Sequence, residues 1–462
     1  MTLISSISGI RGTIGGKAGE GLNPPDLVRF SSAFGTWIKR QHPGKQSYTI
    51  VLGRDARISG EMVGRIVTGC LQAMGINIIN IGLATTPTTE IAVVDEQADG
   101  GIILTASHNP ENWNALKLLN AQGEFLTAAD GQKVLKLAAA ETDFSYAEFD
   151  KPGKLSEKNY LETHIRKIQN LALVNIEAIS KSGFKVAIDC VNSVGGIIIP
   201  ELLKETGVSE VFELFCEPTG KFPHNPEPLP EHLTEISKKV KESGADVGFV
   251  VDPDVDRLAI INEDGSMFGE ENTIAAVAEY VLQHKQGNTV SNLSSSRVLK
   301  DITEKFGGRY FASAVGEVNV VAKMKEVNAV IGGEGNGGVI YPELHYGRDA
   351  LVGIALFLSY LAVSGKKCSE IKAGLPEYHI SKSKIQLSPE LDVDKILENI
   401  KNDYKDARII TTDGVKLDFE NEWIHLRKSN TEPIIRIYAE SKTKSRANEI
   451  TKIIEQKIKR SC

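Results

Sequence analysis

The sequence predicts an α/β chain of four domains: three similar α/β domains with mixed, mostly parallel sheets and a C-terminal α+β domain, with small ligands expected in the central cleft between them. Three observations carry this expectation. A chain of 462 residues is too long for one hydrophobic core. Short β-branched runs alternate with helical patterns through most of its length, and the pattern changes near residue 375.

The runs Tyr48–Leu52, Ile76–Ile81, Gly101–Leu104, Lys185–Asp189, Glu210–Leu214 and Val247–Val251 read as strands. Between them, segments such as Gly60–Met74 and Leu233–Ser243 repeat apolar residues at three- and four-residue spacing, which predicts amphipathic helices. The polar stretch Glu141–Lys158, with Pro152 and Gly153, lacks periodicity and marks a first boundary. A second falls after Arg257 and a third near Gly374–Ser383. The expected domains are therefore 1–155, 156–257, 258–374 and 375–462. In the last, Ile385–Leu387, Gly414–Leu417, Trp423–Leu426 and Ile434–Tyr438 suggest an antiparallel sheet with covering helices. The longest apolar run, Ala350–Val363, is broken by Gly353, Ser359 and Tyr360 and falls short of the ~20 residues that span a bilayer, so it reads as a buried helix.

Composition narrows the function. A formal charge of −7 argues against a nucleic-acid surface, which needs a net basic face. The five cysteines, Cys70, Cys190, Cys216, Cys368 and Cys462, are odd in number and show no CxxC spacing, which argues against a disulfide framework or a zinc site and suits a reducing cytoplasm. The start, Met-Thr-Leu-Ile-Ser-Ser, has no secretory pattern. Small molecules, with neither nucleic acid nor membrane, are the expected partners.

Four motifs carry chemistry. Thr105-Ala106-Ser107-His108-Asn109-Pro110 follows an apolar strand directly, where α/β sheets place ligands; alone it says only that a serine is exposed, and a polar turn is the plainer reading. Asp252-Pro253-Asp254-Val255-Asp256-Arg257 also follows a strand, and carboxylates at alternate positions converge on a hard divalent cation if the loop curls. It lacks the frame of an EF-hand loop. The run Gly332-Gly333-Glu334-Gly335-Asn336-Gly337-Gly338 allows close approach of backbone to a ligand, with Glu334 able to accept from two sugar hydroxyls, and a flexible hairpin is equally consistent. Last, Arg427 and Arg436 flank Ser429, Asn430 and Thr431, a set of donors suited to a phosphate dianion.

Taken in order, these motifs resemble the α-D-phosphohexomutase family, supported by Ser8-Gly9-Ile10-Arg11-Gly12, Gly53-Arg54-Asp55, and Phe222-Pro223 with Asn225-Pro226. The resemblance covers the whole chain. It implies that Ser107 is a phosphoserine carrier and that Asp252, Asp254 and Asp256 hold a Mg2+ that also touches it. It further implies that Arg257 stands near the transferring phosphoryl group, that Arg11 and Lys117 are basic active-site residues, and that His108 supports the serine loop, with Lys117 the leading proton-transfer candidate. Glu334 and Asn336 would select the sugar, while Arg427, Ser429, Asn430, Thr431 and Arg436 would hold the phosphate not being transferred. The expected reaction interconverts hexose 6-phosphate and hexose 1-phosphate through a hexose 1,6-bisphosphate, in a monomer or a homodimer. The Gly-Glu-Gly-Asn-Gly-Gly loop is similar to that of archaeal members acting on glucosamine phosphate, making phosphoglucosamine mutase the first expectation and phosphoglucomutase/phosphomannomutase the alternative. A metal-dependent sugar phosphatase and a catalytically silent sugar-phosphate sensor are the readings from other classes.

Overall fold

The computed structural model describes residues 3–6, 9–17, 19–141, 143–386, 393–404, 406–428 and 434–460. The chain forms two compact units, one of Met1–Thr273 with Gly337–Lys372 and one of Ile274–Asn336 with Ala373–Cys462.

Among the described residues, the first unit holds a seven-stranded sheet built from β1 (Leu3–Ser6), β2 (Gly9–Thr13), β3 (Tyr48–Arg54), β4 (Ile76–Leu83), β5 (Gly100–Leu104), β6 (Trp113–Leu119) and β7 (Leu155–Glu157), in the order β1-β2-β6-β5-β3-β4-β7. Strands β5, β3, β4 and β7 are parallel, and β1, β2 and β6 continue the sheet antiparallel to their neighbours. Parallel neighbours require crossovers, which the helices Gly60–Ala73 and Thr86–Asp95 supply. The two-residue pleat of the central strands sorts their side chains. Ile50, Leu52, Ile102 and Leu104 meet Phe30, Phe34 and Ile38 of helix Pro24–Gln41 on one face. On the other, Val51 and Ile103 meet Ala92 and Val93 of helix Thr86–Asp95.

The same unit contains a second sheet of β8 (Lys185–Asp189), β9 (Glu210–Leu214), β10 (Val247–Val251) and β11 (Leu258–Asn262), in the order β11-β10-β8-β9. Strand β11 runs antiparallel to β10 and so carries this sheet beyond residue 257. Helix Ala350–Ser364 begins at Asp349, whose Oδ1 accepts from Leu351 N at 2.8 Å, and ends at Gly365 with φ +63°. Every residue from Ala350 to Leu361 is buried, which is why the run shows no polar face. Its Phe357 meets Phe249 and Phe268 edge to face, with centroids 6.2 and 5.4 Å away.

In the second unit β12 (Asn288–Asn292), β13 (Tyr310–Ser313) and β14 (Ala329–Glu334) are parallel, with β12 in the middle, and helices Val298–Lys305 and Glu317–Glu326 make the crossovers. The C-terminal segment is an antiparallel sheet of His379–Gln386, Ile434–Ser441, Trp423–Lys428, Val415–Asp418 and Arg408–Ile410, in that spatial order. Helices Val393–Asp403 and Lys444–Arg460 cover one face, packing Ile396, Ile400, Ile450 and Ile454 on Leu417, Leu426, Ile435 and Ile437. Among the described residues no single helix is long and apolar enough to cross a membrane.

The aromatic cluster yields a stability prediction. Phe357→Ala deletes a fully buried ring and should lower the unfolding free energy of the first unit by about 3–5 kcal/mol in urea titration. A loss under about 1 kcal/mol would mean that the three rings do not act as one packed cluster.

Candidate active site

Two loops leave the C-terminal ends of parallel strands in the first unit, and they meet. The serine loop follows β5 and the acidic loop follows β10. Ser107 Oγ donates to Asp252 Oδ2 at 2.8 Å and lies 3.3 Å from His108 Nδ1. Ser107 itself adopts φ +48°, a left-handed conformation uncommon for a residue with a Cβ.

The acidic loop curls tightly because Val255 also takes a left-handed φ of +62° and because Asp252 Oδ1 accepts from the backbone N–H groups of Asp256 and Arg257, each at 3.1 Å. Asp252, Asp254 and Asp256 are all fully buried, and a set of their oxygens lies within 4.8 Å of one another. Asp254 Oδ2 accepts from Lys117 Nζ and from Thr86 Oγ1, both at 2.6 Å. Asp256 Oδ2 accepts from Arg348 Nη2 at 2.6 Å. Their other oxygens, Asp254 Oδ1 and Asp256 Oδ1, are buried without a hydrogen-bond partner. Converging carboxylates with buried, unsatisfied oxygens fit a hard divalent cation.

The electrostatics follow from this crowding. Burial, then the charges of Asp256 and Asp254, push the Asp252 carboxyl well above the usual range. Burial acts the same way on Asp254, but Lys117 outweighs it and holds that carboxyl low. Burial disfavours the Lys117 ammonium, yet Asp254 and Asp256 prevail and raise its pKa. His108 is held well below the ordinary imidazole value, first by Arg257, then by burial and by Arg11. It is therefore neutral, and its Nδ1 accepts from Arg257 Nη2 at 2.9 Å. Arg11 stands on β2 opposite Ala115 of β6, and the charges of Asp254 and Arg257 both act on it.

Arg348 and Thr86 went unread in the sequence. Thr86 is set by its neighbour: Thr85 Oγ1 caps the helix by accepting from Thr88 N at 3.0 Å, which leaves Thr86 at the first turn, facing Asp254. Arg348 comes from the loop after residues 338–340, which a buried polar network holds in place. His345 lies between Glu90, at 3.2 Å, and Asp349, at 3.3 Å, and His164 joins Thr88 to Asp349 with both distances at 2.9 Å. A Cβ at 347 would lie 1.8 Å from Glu90 Oε2, so a larger residue there displaces the Glu90 side chain from this network.

The remaining candidates belong to the second unit, apart from the loop's last turn. Glu334 ends β14, and its Oε1 accepts from Asn292 Nδ2 at 2.7 Å and from Gly316 N at 3.2 Å. Asn336 follows in the turn after it. Gly337, back in the first unit, has φ +88°, and a Cβ there would sit 2.4 Å from Leu258 O. Arg427 and Arg436 are directly opposite on adjacent strands, and Lys384 is opposite Arg436 on the next, so three cations form one row on the face away from the core. Three cations brought together in this way suit the binding of an anion. Ser429, Asn430 and Thr431 lie outside the described residues. No local sequence pattern marks Lys384, since its place in the row depends on strand pairing.

The His345 network makes stability depend on pH. Burial opposes the imidazolium, but the carboxylates of Asp349 and Glu90 outweigh it and raise the pKa to about 10. Glu90 and Asp349 face the ring directly, with His164 beyond Asp349. An unfolded histidine titrates near 6.5, so the stabilisation is complete below about pH 6.5 and is lost as pH rises through about 10. Urea unfolding across that window should show stability falling by up to about 1.4 kcal/mol per pH unit, and His345→Gln should flatten the slope. An equal slope in the variant would exclude this origin.

With the geometry established, similarity to known proteins supplies the family. The phosphoglucomutase/phosphomannomutase alpha/beta/alpha domains I, II and III match residues 4–144, 162–265 and 270–378, and the C-terminal domain matches 383–457. A phosphoglucomutase/phosphomannomutase of Thermococcus kodakarensis is 37% identical over 97% of this chain and 99% of its own. A phosphoglucosamine/phosphogalactosamine mutase of Sulfurisphaera tokodaii is 33% identical, over 97% and 98% of the two chains. The crystal structure of a phosphoglucomutase/phosphomannomutase family protein from Burkholderia thailandensis superposes with a TM-score of 0.84 at 25% identity, covering 99% of this chain and 98% of that one. Matched in all four domains and nearly end to end, the chain belongs to the phosphoglucomutase/phosphomannomutase family of phosphohexomutases.

Proposed function

We propose that this chain interconverts hexose 6-phosphates and hexose 1-phosphates with Ser107 as the phosphoryl carrier, and that glucosamine 6-phosphate is its preferred substrate. The observation that carries the reading is the 2.8 Å contact of Ser107 Oγ with Asp252, inside a buried carboxylate cluster that Lys117, Arg348, Arg257 and Arg11 surround. Four cations stand around the three aspartates there, which suits an incoming phosphoryl dianion once a metal binds.

Asp252, Asp254 and Asp256 would hold Mg2+, which when bound neutralises charge on the transferring phosphoryl oxygens. Phosphorylated Ser107 gives its phosphoryl group to the free hydroxyl of a hexose monophosphate. After the resulting 1,6-bisphosphate turns around, Ser107 takes back the other phosphoryl group. Arg257 and Arg11 steady the charge, neutral His108 orients Arg257, and Lys117 is the candidate for moving the hydroxyl proton. Glu334 and Asn336 accept from and donate to sugar hydroxyls. Arg427 and Arg436, with Ser429, Asn430 and Thr431, hold whichever phosphate is not reacting.

The glucosamine preference is supported by the Gly-Glu-Gly-Asn-Gly-Gly loop and by the name of the Sulfurisphaera relative. The name of the Thermococcus relative favours glucose and mannose phosphates as the second reading. A direct assay decides between them: glucosamine, glucose and mannose 6-phosphates, each with magnesium and a catalytic amount of the matching 1,6-bisphosphate. The highest kcat/KM should fall on glucosamine 6-phosphate, turnover should stop on chelation, and Ser107→Ala should be folded and inactive. Turnover by Ser107→Ala would sink the phosphoserine mechanism and point to a phosphatase instead.

The cationic row makes a separate claim, that one receptor serves the distal phosphate in both orientations. Arg427→Ala should therefore slow single-turnover transfer from phospho-Ser107 to hexose 6-phosphate and to hexose 1-phosphate alike, each roughly ten- to hundredfold. Loss with one acceptor only would contradict a shared receptor.

A further inference from the structure

Arg57 belongs to none of the four motifs, is 1% exposed, and spends all five guanidinium N–H groups within the protein. Nη2 donates to the carbonyls of Ser107 at 2.5 Å and Asn109 at 2.7 Å. Nη1 donates to the carbonyls of Pro110 at 2.5 Å and Trp113 at 2.9 Å. Nε donates to Asp55 Oδ2 at 3.0 Å. One planar cation thus gathers three carbonyls of the serine loop and that of Trp113, which opens β6, and the ring of Phe222 covers it at 5.1 Å.

The arrangement closes on itself. Asp55 Oδ2 also accepts from Thr105 Oγ1 at 2.6 Å, and Thr105 Oγ1 accepts from Ser107 N at 3.0 Å. The N–H and the C=O of Ser107 are therefore held by the two ends of a single chain of hydrogen bonds, Ser107–Thr105–Asp55–Arg57–Ser107. That chain fixes both soft torsions of the residue, including its left-handed φ of +48°, and so fixes where Oγ stands beside Asp252. A further link reaches the acidic loop: Ser193 Oγ donates to Pro253 O at 2.7 Å and accepts from Ala56 N at 3.4 Å.

We propose that Arg57, with Asp55 and Thr105, is a positioning residue of the reaction: it never touches substrate, but it holds Ser107 in the strained conformation from which its oxygen gives and takes the phosphoryl group. This rests on the assignment of Ser107 as the carrier. Lysine cannot replace the guanidinium here, because a point ammonium with three tetrahedral donors cannot span four carbonyls in one plane.

The test uses the full-length protein and follows phosphoryl incorporation on Ser107 from a hexose 1,6-bisphosphate by intact mass, beside steady-state kinetics. Arg57→Lys should leave KM within about threefold of wild type while kcat and the rate of Ser107 phosphorylation both fall about a hundredfold, since the substrate contacts remain and only the oxygen is misplaced. Arg57→Ala should recover part of its lost rate when guanidinium is added at low millimolar concentration, which general damage to the fold would not allow. If neither Arg57 variant folds, the isosteric Thr105→Val cuts the same chain at its other end and should show the same split between kcat and KM. Wild-type protein that takes up phosphate together with Arg57→Lys or Thr105→Val at an unchanged rate overturns the positioning role alone. Wild-type protein that takes up none overturns the carrier assignment and this inference with it.

Discussion

Three carboxylates buried in a five-residue stretch repel one another, and no part of the first unit escapes the need to hold that charge. The acidic loop bends so that its own N–H groups turn toward Asp252. Lys117 comes from the sheet, Thr86 from a helix N-terminus and Arg348 from a distant loop, each ending on one carboxylate oxygen. The attraction is strong because the carboxylates are buried, and for the same reason a missing partner would be expensive. The two oxygens left over, Asp254 Oδ1 and Asp256 Oδ1, could complete their coordination on a bound cation.

This arrangement explains a division of labour between the loops. In the proposed reaction, a residue that is both donor and acceptor of a phosphoryl group needs one fixed position, whichever end of the sugar faces it. The hydrogen bonds on the N–H and C=O of Ser107 would supply that fixity, with its side-chain oxygen beside Asp252. The cationic row in the second unit has a different character, since Arg427, Arg436 and Lys384 bring three long cationic side chains into register on adjacent strands.

Much of this was legible in the sequence where function is written locally. The serine and acidic motifs each follow a run of apolar residues, so their place at strand ends could be inferred from order alone. The buried helix after Asp349 and the antiparallel C-terminal sheet were equally plain, because their patterns repeat within a few residues. What could not be read was non-local. Arg348 and Asp256 are 92 positions apart, and Thr86 and Asp254 are 168 apart. Gly347-Arg348-Asp349 looks like any loop before a helix, and Arg57 like any charge after a strand, until the fold shows four carbonyls around it. Strand β11 was hidden for a related reason: an antiparallel partner directly after a tight loop reads as the opening of the next segment.

The first unit is discontinuous, and this bears on how the protein is made. Residues 337–372 return to it only after the chain has built part of another unit. During synthesis the acidic loop emerges well before Arg348, so for that interval Asp256 lacks its nearest cation and helix Ala350–Ser364 has not yet arrived to receive Phe249 and Phe268. The site therefore cannot assemble in step with translation of its own motifs. It is completed late, when one returning segment delivers a counter-charge and a core helix together, so that the chemistry becomes competent only in a chain whose packing is already finished.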